Sequence, residues 1–274
     1  MIRKQGYIAE EHLILTEDGY LLTLHRIPGS TGSPIVLLEH GLLLSSFDYT
    51  ANGKDEALAF FLADKGYDVW MGNLRGNIYS RCHIKYLTTD NRFWNFSFHE
   101  MGIYDLPAQI KYITDMKNDD IVYVGHSMGT TTFYVMAIER PDIASKIKAM
   151  FGLAPVAFVN HIKGVTAILV PLASFFNKFR YFDYGKKGNR IMYNSSAVPE
   201  YEVTKIKVPI GIFYSDNDFL ATPEDARDFY KLMPYKILAY KVPDPNFSHF
   251  DFVWGMNAKN VVYKKLLSVM KDYQ

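Results

Sequence analysis

The chain has 274 residues, of which 49% are hydrophobic and 22% are charged, a composition typical of a globular enzyme with a sizeable core. This length fits one large α/β domain, or one domain with a modest insertion. The formal net charge of +1 is spread along the chain and gives no basis for binding nucleic acid. The single cysteine, Cys82, excludes an intramolecular disulfide and a cysteine-based zinc site.

Short apolar strands alternate with amphipathic helices along most of the sequence. In chain order the pattern predicts a hairpin with strands at 11–16 and 20–26, a strand at 33–41, a helix at 55–66, a strand at 67–73, a helix at 101–116, a strand at 120–126, a helix at 127–141 and a strand at 147–155. After an irregular stretch at 157–195 it predicts a strand at 208–215, a helix at 222–233, a strand at 236–242 and a closing helix from about 257. This alternation predicts an α/β fold, with a mostly parallel sheet covered on both faces by helices. We interpret the irregular stretch as an insertion between two late strands of one domain.

Membrane and targeting segments are not predicted. No basic segment followed by an apolar run opens the chain as given, so no signal peptide is expected. The longest apolar run, 164–176, has 13 residues and contains Pro171, which is too short for a transmembrane segment. Two interpretations of 165–176 stay open: contact with a lipid surface, or a short helix packed over a cleft.

The segment "DIVYVGHSMGTTTFYV" places a serine between two glycines where a buried strand turns into a helix. A turn this tight forces strained dihedral angles on Ser127, and the close approach of its neighbours leaves no room for a Cβ at Gly125 or Gly129. The turn presents the Ser127 hydroxyl at the N-terminus of a helix, where developing negative charge is favoured. The pattern therefore predicts that Ser127 is a nucleophile.

A nucleophilic serine needs a base that is oriented by a carboxylate, in the chain order serine, acid, histidine. Only two histidines follow Ser127, and His249 is preferred because it lies in the loop between the last strand and the final helix. His161 lies in the irregular stretch. The acid should follow the strand at 208–215, where spacing leaves Asp216 and Asp218 undecided. Glu224 and Asp225 are expected to cap or begin the next helix, and Asp251 is a weaker candidate.

An oxyanion hole should complete the site. The expected donors are the backbone N–H groups of Met128, directly after the serine, and of Leu42, in the loop after the strand at 33–41. His40 is expected to support that loop. Asn73, Arg75 and Asn77 either brace the catalytic loops or are ordinary surface polarity. No HExxH motif, paired carboxylate or phosphate-binding glycine loop occurs, so neither cofactor nor metal is predicted.

Seven ordered segments resemble the acid lipase family of α/β-hydrolases, which includes gastric, lysosomal and insect lipases. These segments are "GYIAEEHLILTEDGYLLTLHRIP", "LLEHGLLLSSFDY", "ALAFFLADKGYDVWMGNLRGNIYSR", "FWNFSFHEMGIYDLPA", "GHSMGTT", "DNDFLATPEDA" and "NFSHFDFVWG". The resemblance implies hydrolysis of acylglycerols or sterol esters by Ser127, with His249 as base and Asp218 as the acid. It also implies that Leu42 and Met128 supply the oxyanion donors, with Met128 in place of the family's usual glutamine.

The resemblance implies a shortened cap. The family normally carries a long cap and lid between two late strands, and the middle of it is missing here near Phe179 to Tyr181. The expected division is therefore an α/β-hydrolase core at 1–156 and 196–274, with a truncated cap at 157–195. A reduced cap favours an alternative substrate class, short soluble esters, and a third hypothesis is a non-catalytic lipid-binding protein on the same scaffold.

The resemblance also implies a secreted or lysosomal glycoprotein. Sequons occur at Asn95, Asn194 and Asn246. Asn95 and Asn194 are the candidate glycosylation sites, whereas a glycan on Asn246 would crowd His249.

Overall fold

The structure is a computed structural model that describes residues 1–158, 161 and 178–274. The expected helix or surface segment at 165–176 lies outside the described residues, as does much of the predicted cap. Within the described part, no helix is long and apolar enough to cross a bilayer.

Nine described strands form one sheet. They are β1 (Glu10–Leu15), β2 (Tyr20–Ile27), β3 (Ile35–Glu39), β4 (Asp68–Met71), β5 (Cys82–His83), β6 (Ile121–His126), β7 (Ile147–Leu153), β8 (Ile210–Tyr214) and β9 (Lys236–Lys241). Their order is β1-β2-β4-β3-β6-β7-β8-β9, with β5 paired to β2. The pairs that involve β1 or β2 are antiparallel, and all pairs from β4 to β9 along this order are parallel.

Helices cover both faces of the sheet. They are α1 (Leu58–Ala63), α2 (Phe98–Glu100), α3 (Leu106–Lys117), α4 (Met128–Glu139), α5 (Pro141–Ala144), α6 (Gly185–Tyr193), α7 (Pro223–Leu232), α8 (Asp251–Trp254) and α9 (Lys264–Met270). One buried cluster packs α3, α4 and α7 against one face, and a second packs α1 and α9 against the other. The predicted α/β-hydrolase fold, with its mostly parallel sheet, is confirmed.

The parallel register brings the candidate site together. The central strands are aligned so that Glu39 at the end of β3 lies beside Gly125 of β6, and His126 lies beside Leu153 of β7. The carboxyl ends of β3, β6, β7 and β8 therefore meet at one edge of the sheet. In parallel α/β sheets this is the edge at which ligands bind.

Besides the short helices α2, α5 and α8, two elements differ from the predicted pattern. β5 has only two residues, too few for a periodic signal. Helix α6 lies inside the stretch predicted to be irregular, and only Asn189 of its residues is buried. Two glycines, Gly185 and Gly188, lower its helix propensity, and its apolar residues are consecutive at its C-terminal end, where Ile191 and Met192 are exposed.

Candidate active site

Ser127 lies in a sharp turn between β6 and α4. Its backbone angles are φ 52° and ψ −119°, which an L-residue adopts only under strain. Its N–H donates to the Leu153 carbonyl at 3.0 Å, which holds the turn on the sheet. A Cβ at Gly129 would lie 2.4 Å from the Glu39 carbonyl oxygen, and one at Gly125 would lie 2.8 Å from the Gly129 backbone. Both glycines are thus required by the close packing of this turn.

Three side chains from distant parts of the chain form a continuous hydrogen-bonded line. Ser127 Oγ lies 2.8 Å from His249 Nε2, and His249 Nδ1 lies 2.8 Å from Asp218 Oδ2. Asp218 and His249 are buried, and the Ser127 side chain is partly exposed. In this arrangement the serine hydroxyl donates to the imidazole, and the imidazole N–H donates to the carboxylate.

The other oxygen of Asp218 fixes the direction of the carboxylate. Oδ1 accepts hydrogen bonds from the N–H groups of Leu220 at 2.9 Å and Ala221 at 2.7 Å. These bonds come from the turn between β8 and α7. Oδ2 is left to face His249.

The other candidate acids and the other candidate base have partners elsewhere in the structure. Asp216 is on the surface and pairs with Lys241 at 2.6 Å. Asp251 accepts from the N–H and hydroxyl of Ser248. His161 Nδ1 lies 2.7 Å from the Asp225 carboxylate at the start of α7. Of the candidates that spacing left open, Asp218 is therefore the one placed against His249.

The expected oxyanion donors lie beside Ser127. Met128 is the first residue of α4, so its N–H has no acceptor within the helix. Gly41 packs against Ser127, since a Cβ there would lie 3.0 Å from Ser127 Cβ. Leu42 follows directly, and no described acceptor takes the N–H of Leu42 or Met128. Both donors are available to a substrate oxygen.

His40 holds this loop in place as a neutral ring. Its Nδ1–H donates to the Gly41 carbonyl at 2.8 Å, while Nε2 accepts from Leu74 N at 3.1 Å and from Asn77 Nδ2 at 2.9 Å. Burial lowers the pKa of His40 to about 4, so the ring is uncharged near neutral pH. His40 therefore ties the Leu42 loop to the segment after β4.

The polar residues after β4 brace this region. Asn73 Oδ1 accepts from Ser46 N, and its Nδ2 donates to the Thr23 carbonyl. The buried guanidinium of Arg75 pairs with Asp18 and with Asp105, both at 2.6 Å. Of the two interpretations of Asn73, Arg75 and Asn77, the bracing role fits the contacts.

Three further residues near the site carry no signal in the sequence. His126 Nε2 lies 3.0 Å from the His249 carbonyl oxygen, and Trp254 Nε1 donates to Asp48 at 3.0 Å. Glu39 is fully buried below the loop that carries Leu42. The contacts of His126 and Trp254 span 123 and 206 residues, so no local pattern indicates them. Among the described residues, no cluster of three or more His, Cys, Asp or Glu could hold a metal.

Two family models match the chain. "Partial alpha/beta-hydrolase lipase region" matches residues 1–53, and "alpha/beta hydrolase fold" matches residues 34–202. Among solved structures, an esterase from Pyrococcus furiosus superposes with a TM-score of 0.67 at 18% identity, covering 100% of this chain and 94% of that one. At that identity the likeness shows the fold alone.

Curated relatives match over nearly the whole chain. It is 31% identical to Lipase 3 of Drosophila melanogaster, covering 100% of this chain and 92% of the relative. It is 32% identical to gastric triacylglycerol lipase of Homo sapiens, covering 99% and 90%. It is 31% identical to lysosomal acid lipase/cholesteryl ester hydrolase of Macaca fascicularis, covering 98% and 89%.

The relatives are longer within the matched region. The alignment with Lipase 3 runs over 363 positions against 274 residues here, a difference of at least 89 positions that have no counterpart in this chain. The family expected from the seven segments is nevertheless confirmed by model, sequence and fold. The chain belongs to the acid lipase family of α/β-hydrolases, and it is a carboxylic ester hydrolase.

Proposed function

We propose that the chain hydrolyses lipid esters through a covalent acyl-enzyme on Ser127. The observation that carries the proposal is the hydrogen-bonded line from Ser127 Oγ through His249 to Asp218, with both links at 2.8 Å. A nucleophile, a base and a carboxylate at hydrogen-bond distance are the arrangement that acyl transfer requires.

In the acylation step, His249 Nε2 takes the proton of Ser127 as Oγ attacks the ester carbonyl carbon. The carbonyl oxygen becomes an oxyanion and accepts hydrogen bonds from the N–H groups of Leu42 and Met128. Asp218 holds the ring in the tautomer that can accept this proton, and it stabilises the imidazolium that forms. The intermediate then expels the alcohol, which leaves with the proton from Nε2.

In the deacylation step, water replaces the alcohol. His249 Nε2 takes a proton from the water, whose oxygen attacks the acyl carbon. The second oxyanion forms in the same hole, and its collapse returns the proton to Ser127 Oγ and releases a carboxylic acid. The strained turn keeps Oγ at the same position in both steps.

The proposed substrates are acylglycerols or sterol esters. Two matched relatives are named as a gastric triacylglycerol lipase and a lysosomal acid lipase/cholesteryl ester hydrolase, which supports this class. We also retain the division into a core at 1–156 and 196–274 with a truncated cap at 157–195. Because Lipase 3 carries at least 89 further positions, a second candidate function is hydrolysis of short soluble esters at a less covered site.

The proposal extends to the location of the protein. The names of the gastric and lysosomal relatives support a secreted or lysosomal enzyme. Asn95 and Asn194 are exposed and suit glycosylation. Asn246 is also exposed, but its carbonyl accepts from Asn217 and it is three residues from His249. We propose glycans on the first two only.

Hydrolysis of nitrophenyl esters with two to eighteen acyl carbons tests the proposal, with Ser127→Ala as the control. Highest rates with long chains support the lipase, and highest rates with short chains support the esterase. In either case the rate should depend on Ser127. If no acyl length gives a Ser127-dependent rate while the protein binds lipid, the enzyme proposal is wrong and a binding protein remains.

A further inference from the structure

A cleft of about 380 Å³ adjoins the proposed oxyanion hole. Leu42 and Met128, which carry the two proposed donors, are part of its lining. The rest of the described wall comes from the same loop as Leu42, at 40–45, and from two further segments, 74–81 after β4 and 94–101 before α3. A carbonyl oxygen bound by the two donors would therefore have its carbon at the entrance of this cleft.

The position of the base decides which half of an ester the cleft receives. The departing alcohol oxygen must take its proton from His249 Nε2, so the alcohol half lies on the His249 side of the carbonyl carbon. No described residue of the loops around Asp218 and His249 lines the cleft. The cleft thus opens on the side of the oxyanion hole away from the base, which is the side of the acyl group.

The chemistry of the lining suits a hydrocarbon chain. Apolar side chains make up most of the wall, among them Leu43, Ile78, Trp94, Phe96 and Met101. The polar side chains of the wall already have partners within the protein: Arg75 pairs with two carboxylates, His40 is bonded through both ring nitrogens, Asn77 donates to His40, Arg81 donates through Nε to the Gly76 carbonyl, and Ser45 Oγ accepts from Phe47 N. Nothing in this wall therefore requires a polar partner from the ligand, and burial of apolar surface supplies the binding energy.

The depth and mouth of the cleft are set by a few residues. Met101 is only 8% exposed and lies at the floor, while Trp94 at 43% and Ile78 at 71% lie at the rim. Gly76 packs against the aromatic wall, because a Cβ there would lie 2.9 Å from Phe96 Cζ. The volume is near the lower end of the roughly 300–1,000 Å³ found for pockets of small organic ligands. The cleft therefore has room for one acyl chain and not for all three chains of a triacylglycerol.

We infer that this cleft binds the acyl chain of the substrate and that Ile78 at its rim sets the acyl length the enzyme prefers. The inference rests on the proposed function, since it takes Ser127 as the nucleophile and Leu42 and Met128 as the oxyanion donors. The inference places the acyl group of the ester in this cleft and the alcohol group on the side of His249.

The first test compares kcat/KM across nitrophenyl esters of increasing acyl length. Ile78→Trp narrows the rim and should lower kcat/KM for a ten-carbon ester, relative to the acetate, by about tenfold or more, a typical discrimination by an apolar pocket. Ile78→Ala widens it and should move the preferred length upwards. Ile8→Trp is the matched control, because Ile8 is equally exposed at 72% and does not line the cleft.

A second ester series separates the acyl and alcohol halves. Butyrate esters of alcohols from methanol to octanol should keep their relative rates in Ile78→Trp. If this variant alters the dependence on alcohol length and leaves the dependence on acyl length unchanged, the cleft binds the alcohol and the inference is wrong. Equal acyl-length profiles in Ile78→Trp and Ile8→Trp would also contradict it.

Binding without turnover keeps the inference separate from the proposed function. Calorimetric titration with decanoate measures the Kd of the Ser127→Ala protein. Adding Ile78→Trp to this protein should raise the Kd at least fivefold, whereas adding Ile8→Trp should leave it unchanged. Loss of Ser127-dependent hydrolysis would remove the proposed mechanism, whereas equal decanoate affinity in both variants would remove the acyl site.

Discussion

His126 is hydrogen-bonded to the backbone of His249, with Nε2 3.0 Å from the carbonyl oxygen. The two rings also lie close, with centroids 5.0 Å apart. Burial lowers the pKa of His126 to about 3, so the ring is neutral and carries its proton on the nitrogen that donates. Because His126 immediately precedes Ser127, one side chain links the nucleophile's strand to the loop that carries the base.

Replacing His126 tests this positioning role. In His126→Leu the His249 carbonyl loses its donor, so we expect kcat to fall about tenfold with KM little changed, since a small misplacement of a catalytic group is costly. His126→Gln can still donate and should recover part of kcat. The same loss of kcat in both variants, or an effect on KM alone, would show that the hydrogen bond does not position the base. Steady-state kinetics with one nitrophenyl ester measures kcat and KM separately for each variant.

The two aspartates after β8 offer a matched pair. Asp218→Asn keeps the size of the side chain but presents an amide that stabilises the wrong tautomer of His249, so we expect kcat to fall by roughly a thousandfold or more. Asp216→Asn removes only a surface pairing with Lys241 and should leave kcat within about twofold. Comparable losses in the two variants would argue against Asp218 as the orienting acid.

The sequence predicts the site unevenly, and the reasons are physical. The strand–turn–helix around Ser127 is local, and its glycines are readable because the turn excludes a Cβ. Asp216 and Asp218 could not be separated by spacing, because both follow β8 within a few residues. Their directions depend on the dihedral angles of the next turn, where two N–H groups bind Asp218. The family resemblance, not the pattern, selected Asp218.

Long-range contacts were beyond prediction from one sequence. The bonds that His126 and Trp254 make join residues 123 and 206 positions apart, and polar pairs of this kind leave no periodic trace. Helix α6 was not predicted because it is short, contains two glycines, and has its apolar residues, Ile191 to Tyr193, together at one end. The sheet and its main helices were predictable because their buried faces follow the periods of strands and helices.

Trp254 and Asp48 join the base loop to the oxyanion loop. Trp254 Nε1 donates to Asp48 Oδ1 at 3.0 Å, while Asp48 Oδ2 accepts from Ser45 N at 2.7 Å. The Trp254 ring also stacks on Phe250, with centroids 5.1 Å apart. Asp48 thereby holds the segment just after Leu42 against the helix that follows His249.

Trp254→Phe keeps a ring for the stacking and removes only the N–H donor. We expect the free energy of unfolding to fall by about 1.5–3 kcal/mol, the usual net value of a hydrogen bond to a carboxylate. A double-mutant cycle with Asp48→Ala isolates the pair, and denaturant unfolding supplies its four values. Strictly additive losses would mean that the two side chains are not coupled.

Glu39 makes stability depend on pH. It is fully buried, and burial, with a contribution from nearby Asp105, raises its pKa from 4.5 to about 8. Its Oε2 has no described partner, and a Cβ on Gly72 would lie 2.2 Å from this atom. The folded state therefore binds a proton that the unfolded state releases between these pH values. The contribution to stability is complete below pH 4.5 and is lost as the pH rises towards 8.

Glu39→Gln removes this titration. Relative to the wild type, its free energy of unfolding should rise with pH by up to about 1.4 kcal/mol per unit across that window. Asp272→Asn, at an exposed position near the end of the chain, is the control and should give a curve parallel to that of the wild type. The lowered pKa values of His40 and His126 make the free energy of unfolding rise with pH on the acid side, opposite to the effect of Glu39. Because both proteins contain these histidines, their contribution cancels in the difference between variant and wild type. Parallel curves for wild type and Glu39→Gln would contradict the buried, neutral carboxyl group.

The most direct measurement of the central claim is the attachment site of a nitrophenyl alkylphosphonate, which forms a stable covalent mimic of the tetrahedral intermediate. Mass spectrometry of the digested protein should find one adduct, on Ser127, formed together with one equivalent of nitrophenolate and greatly slowed in His249→Ala. An adduct on any other residue, or an unlabelled Ser127 in protein that still hydrolyses esters, would contradict the account.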